Sequence, residues 1–402
     1  MLRRGRLDSG DRGIADGPNP IPADRGVTFS VTPSADIAAP VTEISISGYA
    51  KSDFIYDFNQ NLGDAFGVAN LKPAPKFQKF HSHARQTRIS VASRTDTSIG
   101  EFQTLIEGDF FSSSECSSTG CLRLRHAWGE WQFFPNWTFS AGQYWSNFMP
   151  LFDLPDTVDF EGPVGLAFSR QGQARLTYST GNLTAALALE RPFIGTVTSG
   201  ESGEAEGLLF DNDSNLPDLT ASILYKSEAG HQLGFNAILG QLGVDGEGKP
   251  NSLITGSDRT IDWGIIGSAQ IMFTDAFQLT VSGGGGRGAS SYIVGADVNV
   301  YVTGTAADPN IGGRVYYNFA VSGALEISPE ITLNTAYGQL YFANNDTLET
   351  QTKLVQTVHA NTMWRPVSQM QLGLEIMWAK RNIKQSTNAD ALRGQFGAWF
   401  FF

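Results

Sequence analysis

From Ile44 to Phe402, apolar and polar residues alternate with a period of two, interrupted by clusters of turn-forming residues. Strands are predicted over 44–58, 85–95, 99–111, 122–134, 137–147, 167–179, 182–191, 217–227, 231–242, 259–272, 276–288, 313–328, 330–343, 353–365, 369–381 and 391–402. Each is near or above the ~9 to 11 residues that a tilted strand needs to cross a bilayer. In 369–381, Met370, Leu372, Leu374, Ile376 and Trp378 share one face, and Gln371, Gly373, Glu375 and Met377 share the other. The closing strand repeats the pattern. Phe402, Phe400, Ala398 and Phe396 stand opposite Phe401, Trp399, Gln395 and Arg393.

The connections separate the fold classes. Every second one is short: 95–98, FPNW, STGN, SEAGH, FTDAF, SPE and RPVSQ. The others are long: 59–84, 112–121, 148–166, 192–216, 243–258, 289–312, 344–352 and 382–390. A soluble sandwich, the alternative all-β reading, has no reason to collect its long loops at one end. About 16 strands with this asymmetry predict a 16-stranded antiparallel transmembrane β-barrel, with short periplasmic turns and long extracellular loops. Phe277, Trp364, Trp399 and Phe402 fall near strand ends, where interface girdles are expected. Phe400 and Phe402 would then anchor the closing strand in lipid. A terminal Phe after alternating apolar residues also resembles the signal read by the barrel-insertion machinery of the bacterial outer membrane.

Composition changes this picture little. The chain has 402 residues and is 41% hydrophobic, with a mean hydropathy of −0.16. No run reaches the roughly 18 to 20 apolar residues of a membrane helix, which excludes a helical span and leaves a barrel open. Residues 44–402 read as one barrel domain, and 1–43, charged and rich in Gly and Pro, as disordered or weakly ordered. The N-terminus has a basic start but no apolar stretch of a signal peptide. This suggests a mis-assigned start or an export signal absent from this form of the chain. The net charge of −12 is spread along the chain without a basic, aromatic-interleaved patch, so nucleic acid is not an expected partner. Cys116 and Cys121 bracket CSSTGC. They read as a small-loop disulfide of an oxidising compartment, or alternatively as two exposed thiols of a reducing one.

Segment 48–178 carries a more specific signal. GYAKSDFIYDFN (48–59), IEGDFF (106–111), LRLRHAWGEW (122–131), AGQYWSNFMPLFDLPDTVDFEGPVG (141–165) and SRQGQARLTY (169–178) resemble the DcaP-like family of outer-membrane porins in order and content. The C-terminal half matches by pattern. The resemblance implies a homotrimeric 16-stranded barrel in the outer membrane of a Gram-negative bacterium, in contact with lipid and lipopolysaccharide. It also implies passive uptake of small anionic solutes such as dicarboxylates. Small or polar outward positions on the first strands, Gly48, Ala50, Ser52, Thr87, Thr104 and Gly108, suit a subunit interface there.

Selectivity is expected where an acidic loop meets basic strands. Asp153, Asp156, Asp159 and Glu161 lie in 148–166, a Pro- and Gly-rich stretch expected to fold into the lumen and narrow it. Arg88, Arg123, Arg125 and Arg175 occupy alternate positions opposite Ile89, Leu122, Leu124 and Leu176. Lys51 joins them, and Arg170 lies beside them with the opposite parity to Arg175. Arginine facing lipid would cost roughly 2 to 4 kcal/mol near the midplane, so these residues should line water. A ring of arginines across from carboxylates favours anions. The competing structural reading is that the arginines pair with Asp153 to Glu161 and hold the loop. No cofactor or metal site is expected. GGGGRG (283–288) lacks the Lys and Ser/Thr of a phosphate loop, and DNDSN (211–215) lacks the glycine and glutamate of a calcium loop. His81 and His83 share a parity in loop 59–84, a remote metal pair. No nucleophile–base arrangement is visible, so no enzymatic activity is expected. A structural or adhesive barrel with a plugged lumen is the competing membrane reading.

Overall fold

The computed structural model describes residues 26–31, 40–73, 76–112, 120–192, 211–212, 214–245, 255–297, 299–305, 307–343, 351–383 and 388–402. Sixteen antiparallel strands form the wall. They are β1 Thr42–Asp57; β2, in two pieces, Lys79–His83 and Arg88–Thr97; β3 Gly100–Asp109; β4 Arg123–Phe134; and β5 Trp137–Trp145. Next come β6 Arg170–Thr180, β7 Leu183–Glu190, β8 Asp218–Lys226, β9 Gln232–Asp245, β10 Ser257–Met272 and β11 Phe277–Arg287. The wall ends with β12 Val315–Ser328, β13 Ile331–Phe342, β14 Thr352–Val367, β15 Met370–Ile383 and β16 Ala389–Phe401. Each strand pairs with the next, and β16 returns to β1 with Tyr49 opposite Phe401 and Asp57 opposite Arg393. Closure leaves no strand edge unpaired within the wall, which a bilayer requires.

Short turns at 98–99, 135–136, 181–182, 227–231, 273–276, 329–330 and 368–369 all lie at one end, as the alternation predicted. The distribution of side chains is inverted relative to a soluble protein. Leu374 and Ile261 are 65% and 64% exposed on the outside, whereas Asp53, Glu107 and Arg125 are buried inside. An apolar exterior around a charged interior is stable when the exterior meets lipid.

Several expectations need adjustment. The loop 59–84 contains the first piece of β2, and the loop 289–312 overlaps a hairpin of Val300–Gly304 with Pro309–Gly313. Within 1–43, Val27–Val31 forms a short strand paired with Thr42–Ile46. It extends the edge of β1 past the end of β16. Trp399 is not a girdle residue. It shares the inward parity of Phe401, is buried, and lies beneath the Lys51 ammonium, 4.3 Å from its ring centroid. Phe400 and Phe402 do face outward, each 53% exposed. The Phe402 ring occupies the place of a Cβ at Gly48, 2.6 Å from where that atom would stand. A glycine is therefore needed there for the chain end to close against β1.

Candidate functional site

The segment between β5 and β6 folds into the barrel, and residues 145–150 and 157–160 are buried. Beyond one 3-10 turn at Leu151–Asp153, Pro and Gly keep it irregular, so its backbone needs partners from the wall. Glu375 on β15 accepts from the Val158 amide at 2.8 Å and the Asp159 amide at 3.3 Å. The same carboxylate meets His359 Nδ1 at 3.0 Å and accepts from Asn361 Nδ2 at 3.0 Å. Asn361 also donates to the Asp156 carbonyl, Thr357 Oγ1 accepts from the Val164 amide, and Asn318 donates to the Gly165 carbonyl. The segment is not alone. Leu62 and Phe66 of the β1–β2 loop, Phe148 and Leu154 of this one, and Tyr292 and Ile293 of the β11–β12 loop share one apolar cluster inside the barrel. One inward loop was expected, and three pack together inside the barrel.

The basic residues stand on the opposite wall, and their direct partners are neither water alone nor the loop acids of the competing reading. Arg123 forms a two-pronged pair with Asp109, Nε–Oδ1 at 2.9 Å and Nη2–Oδ2 at 2.7 Å. Arg125 reaches Glu107 Oε1 at 2.6 Å and Asp109 Oδ2 at 3.0 Å, and Arg88 lies 3.5 Å from Glu107. Glu107 and Asp109 of β3 were passed over in the sequence, although they carry the signal that would have found them. They lie on the strand between Arg88 and Arg123, and Asp109 is level with both. A bulge at Glu107/Gly108 shifts the β3–β4 register and switches the parity of β4, so Arg123 and Arg125 point inward before it and Trp128 and Glu130 after it.

Lys51 and Arg175 stand outside this cluster. Lys51 hydrogen-bonds Gln86 and the Val158 carbonyl and pairs with Asp53 at 3.0 Å, so it ties the inward segment to the wall. Arg175 donates to Gln173 and to the Trp145 carbonyl. Arg170 opens β6 where the inward segment rejoins the wall. There its guanidinium turns to the lumen, 5.2 Å from the Trp145 ring centroid, despite its parity. Arg123 stacks between Phe111 and Phe160, at 5.6 and 5.3 Å.

The loop acids divide. Asp159 is buried and pairs with Arg393 at 3.3 Å, a residue the sequence reading did not select. Asp153 is buried and accepts from Ser268 at 3.4 Å. Asp156 and Glu161 are half-buried. Burial, reinforced by the charge of Asp159, pushes the Glu161 carboxyl up to about 7, against the pull of Arg123, Arg170 and Arg125. Cys121 is disulfide-bonded, and Cys116 lies outside the described residues. His81 bridges Asp57 and Asp64, and His83 binds the Asp64 carbonyl. Among the described residues no three His, Cys, Asp or Glu side chains stand together as metal ligands. Toward the short-turn end, a cavity of about 280 Å³ lies against β1–β5, lined among others by Arg94, Gln103, Trp128, Glu130 and Tyr144.

Solved structures share this architecture. The outer membrane channel DcaP of Acinetobacter baumannii superposes with a TM-score of 0.77 at 22% identity, over 90% of this chain and 97% of that one. This chain has the fold of the outer-membrane porins. OmpF of Salmonella typhi, in a complex with daunomycin, matches with a TM-score of 0.58 at 9% identity, over 93% and 100%. An anion-selective porin from Comamonas acidovorans matches with 0.56 at 8% identity, over 90% and 100%. No family model and no curated protein matches the sequence.

Proposed function

We propose that the protein is an outer-membrane porin of a Gram-negative bacterium, without enzymatic activity, passing small hydrophilic solutes with a preference for organic anions such as dicarboxylates. The observation that carries this is the charge balance beside the inward segment. Four guanidinium groups, Arg88, Arg123, Arg125 and Arg170, face three carboxyl groups, Glu107, Asp109 and Glu161, which leaves one positive charge in excess. Arg123 presents that excess to water, being 29% exposed where Arg125 is 1%. A guanidinium fork at a lumen wall recognises a carboxylate in two-pronged fashion. The outward small residues of β1–β3 fit a homotrimer, and Phe400 and Phe402 fit recognition by the insertion machinery.

The test is the reversal potential of the full chain in a planar bilayer under a salt gradient. Stepwise conductance with an anion-favouring potential is expected, and a cation-favouring potential would overturn the preference. The three-segment apolar cluster favours a second reading, a structural barrel with a closed lumen. Folded protein that never conducts would establish that one instead.

Acidity should sharpen the preference. As pH falls through about 7, Glu161 is protonated. The excess then rises from one positive charge to two, and the anion preference grows. Glu161→Gln should show the larger preference at every pH. A preference that weakens on acidification would remove Glu161 from the selective section.

A further inference from the structure

A second charged feature lies behind the inward segments, away from the Arg88, Arg123, Arg125 and Arg170 group, with Arg175 acting on its first member, Glu190. On β7, β8 and β10, Glu190, Asp218 and Asp262 stand in one row across the wall. Asp218 pairs with Glu190. The pairing of Leu219 with Leu239 brings Asp218 level with Gly240, and Gly240 pairs with Asp262. Gly240 has no side chain, and the two aspartates lean into that place. A Cβ there would collide with Asp218 Oδ1 and stand 2.6 Å from Asp262 Oδ1. Both residues are 2% exposed. Asp262 Oδ1 has no hydrogen-bond partner, and no Lys or Arg among the described residues pairs with Asp262.

An independent observation points to the same place. Tyr316 on β12 is 0% exposed, and its hydroxyl also has no partner. That oxygen lies 2.5 Å from the position of a Cβ at Gly264, two residues along the inward face from Asp262. Tyr292, on the β11–β12 segment, donates to Asp218 Oδ2 at 2.7 Å, and Asp218 Oδ1 is the oxygen that leans over Gly240.

Two buried carboxylates this close repel unless something positive sits between them. We infer that Asp218 and Asp262, with the Tyr316 hydroxyl beside them, hold a hard divalent cation, calcium by ligand chemistry, in the space over Gly240. All the donors are oxygens, the pair of carboxylates balances a double charge, and water completes such shells. Two carboxylates make a weak site, in the range of about 0.1 to 1 mM typical of extracellular calcium modules. Tyr292 meets Phe148 of the β5–β6 segment edge to face at 5.9 Å. The ion would thus tie both inward segments to the wall, whatever the channel conducts.

The experiment is thermal unfolding of the refolded full chain with millimolar calcium, with magnesium and with chelator. Calcium is expected to raise the melting temperature more than magnesium does, and Asp262→Asn should lose that shift. Gly240→Ala, which fills the space without altering charge, should lose it too. If that variant does not fold, Asp262→Asn alone decides. Should neither fold, terbium emission sensitised by the nearby tyrosines in the wild type should be quenched by calcium and fall in Tyr316→Phe. No calcium shift in the wild type would overturn the inference. So would a full shift retained by Asp262→Asn, which would place the ion elsewhere. A melting temperature that follows pH but not calcium would mean that the two carboxyls share a proton instead.

Discussion

Replacing Glu375 with glutamine is expected to release the tip of the β5–β6 segment and raise single-channel conductance. The carboxylate is buried and takes hydrogen bonds from two loop amides, Val158 and Asp159, while His359 and Asn361 hold it from the wall. A hydrogen bond to a charged acceptor contributes about 1.5 to 3 kcal/mol, so loss of the charge should weaken the anchoring by several kcal/mol at most. Glutamine also turns a donor toward amides that need an acceptor, so a rescue by shape alone is not expected. The tip would then sample positions away from β14–β16, and conductance should rise and become noisier. Heat-dependent migration on SDS gels should persist, because the wall itself is unchanged. Wild-type conductance in Glu375→Gln would show that Thr357, Asn361 and Arg393 hold the segment without it.

The second large effect separates two arginines that look alike in the sequence. Arg125→Ala should destabilise the barrel by about 3 to 5 kcal/mol, because it strips Glu107 and Asp109 of a partner in a buried site. Arg123→Ala should cost less, about 1 to 2 kcal/mol, because Arg123 is partly exposed and Asp109 keeps Arg125. Selectivity should follow the opposite order, since Arg123 meets water and Arg125 does not. Both arginines touch Asp109 Oδ2, at 2.7 and 3.0 Å, so the double variant should depart from additivity. Denaturant midpoints together with reversal potentials of the three variants test this. An equal loss of stability in the two single variants would contradict the assignment, as would an Arg123→Ala channel with wild-type selectivity.

The period of two determined most of the fold. Between bulges, side-chain direction in a strand follows the residue's own place in the alternation, so Leu374 and Ile376 could be assigned to lipid and Glu375 to the lumen without knowing any partner. Turn chemistry marked the strand ends, and the alternation of short and long connections implied a barrel with one looped end. The same parity placed Arg123 and Arg125 inside and Phe400 and Phe402 outside, and applied consistently it would have placed Trp399 inside as well.

Tertiary structure decided what each inward residue touches. Register and bulges are relations between strands, and they brought Asp109 level with Arg88 and Arg123 and turned the arginines toward β3 acids instead of the loop. The path of an irregular segment follows from where the wall can satisfy its backbone, which gave Glu375, Thr357 and Lys51 their roles. Three segments pack together inside the barrel because their apolar side chains bury one another, a cooperation between stretches about a hundred residues apart that no local pattern records. Asp218 and Asp262 come together because register sets both level with Gly240, which has no side chain to separate them.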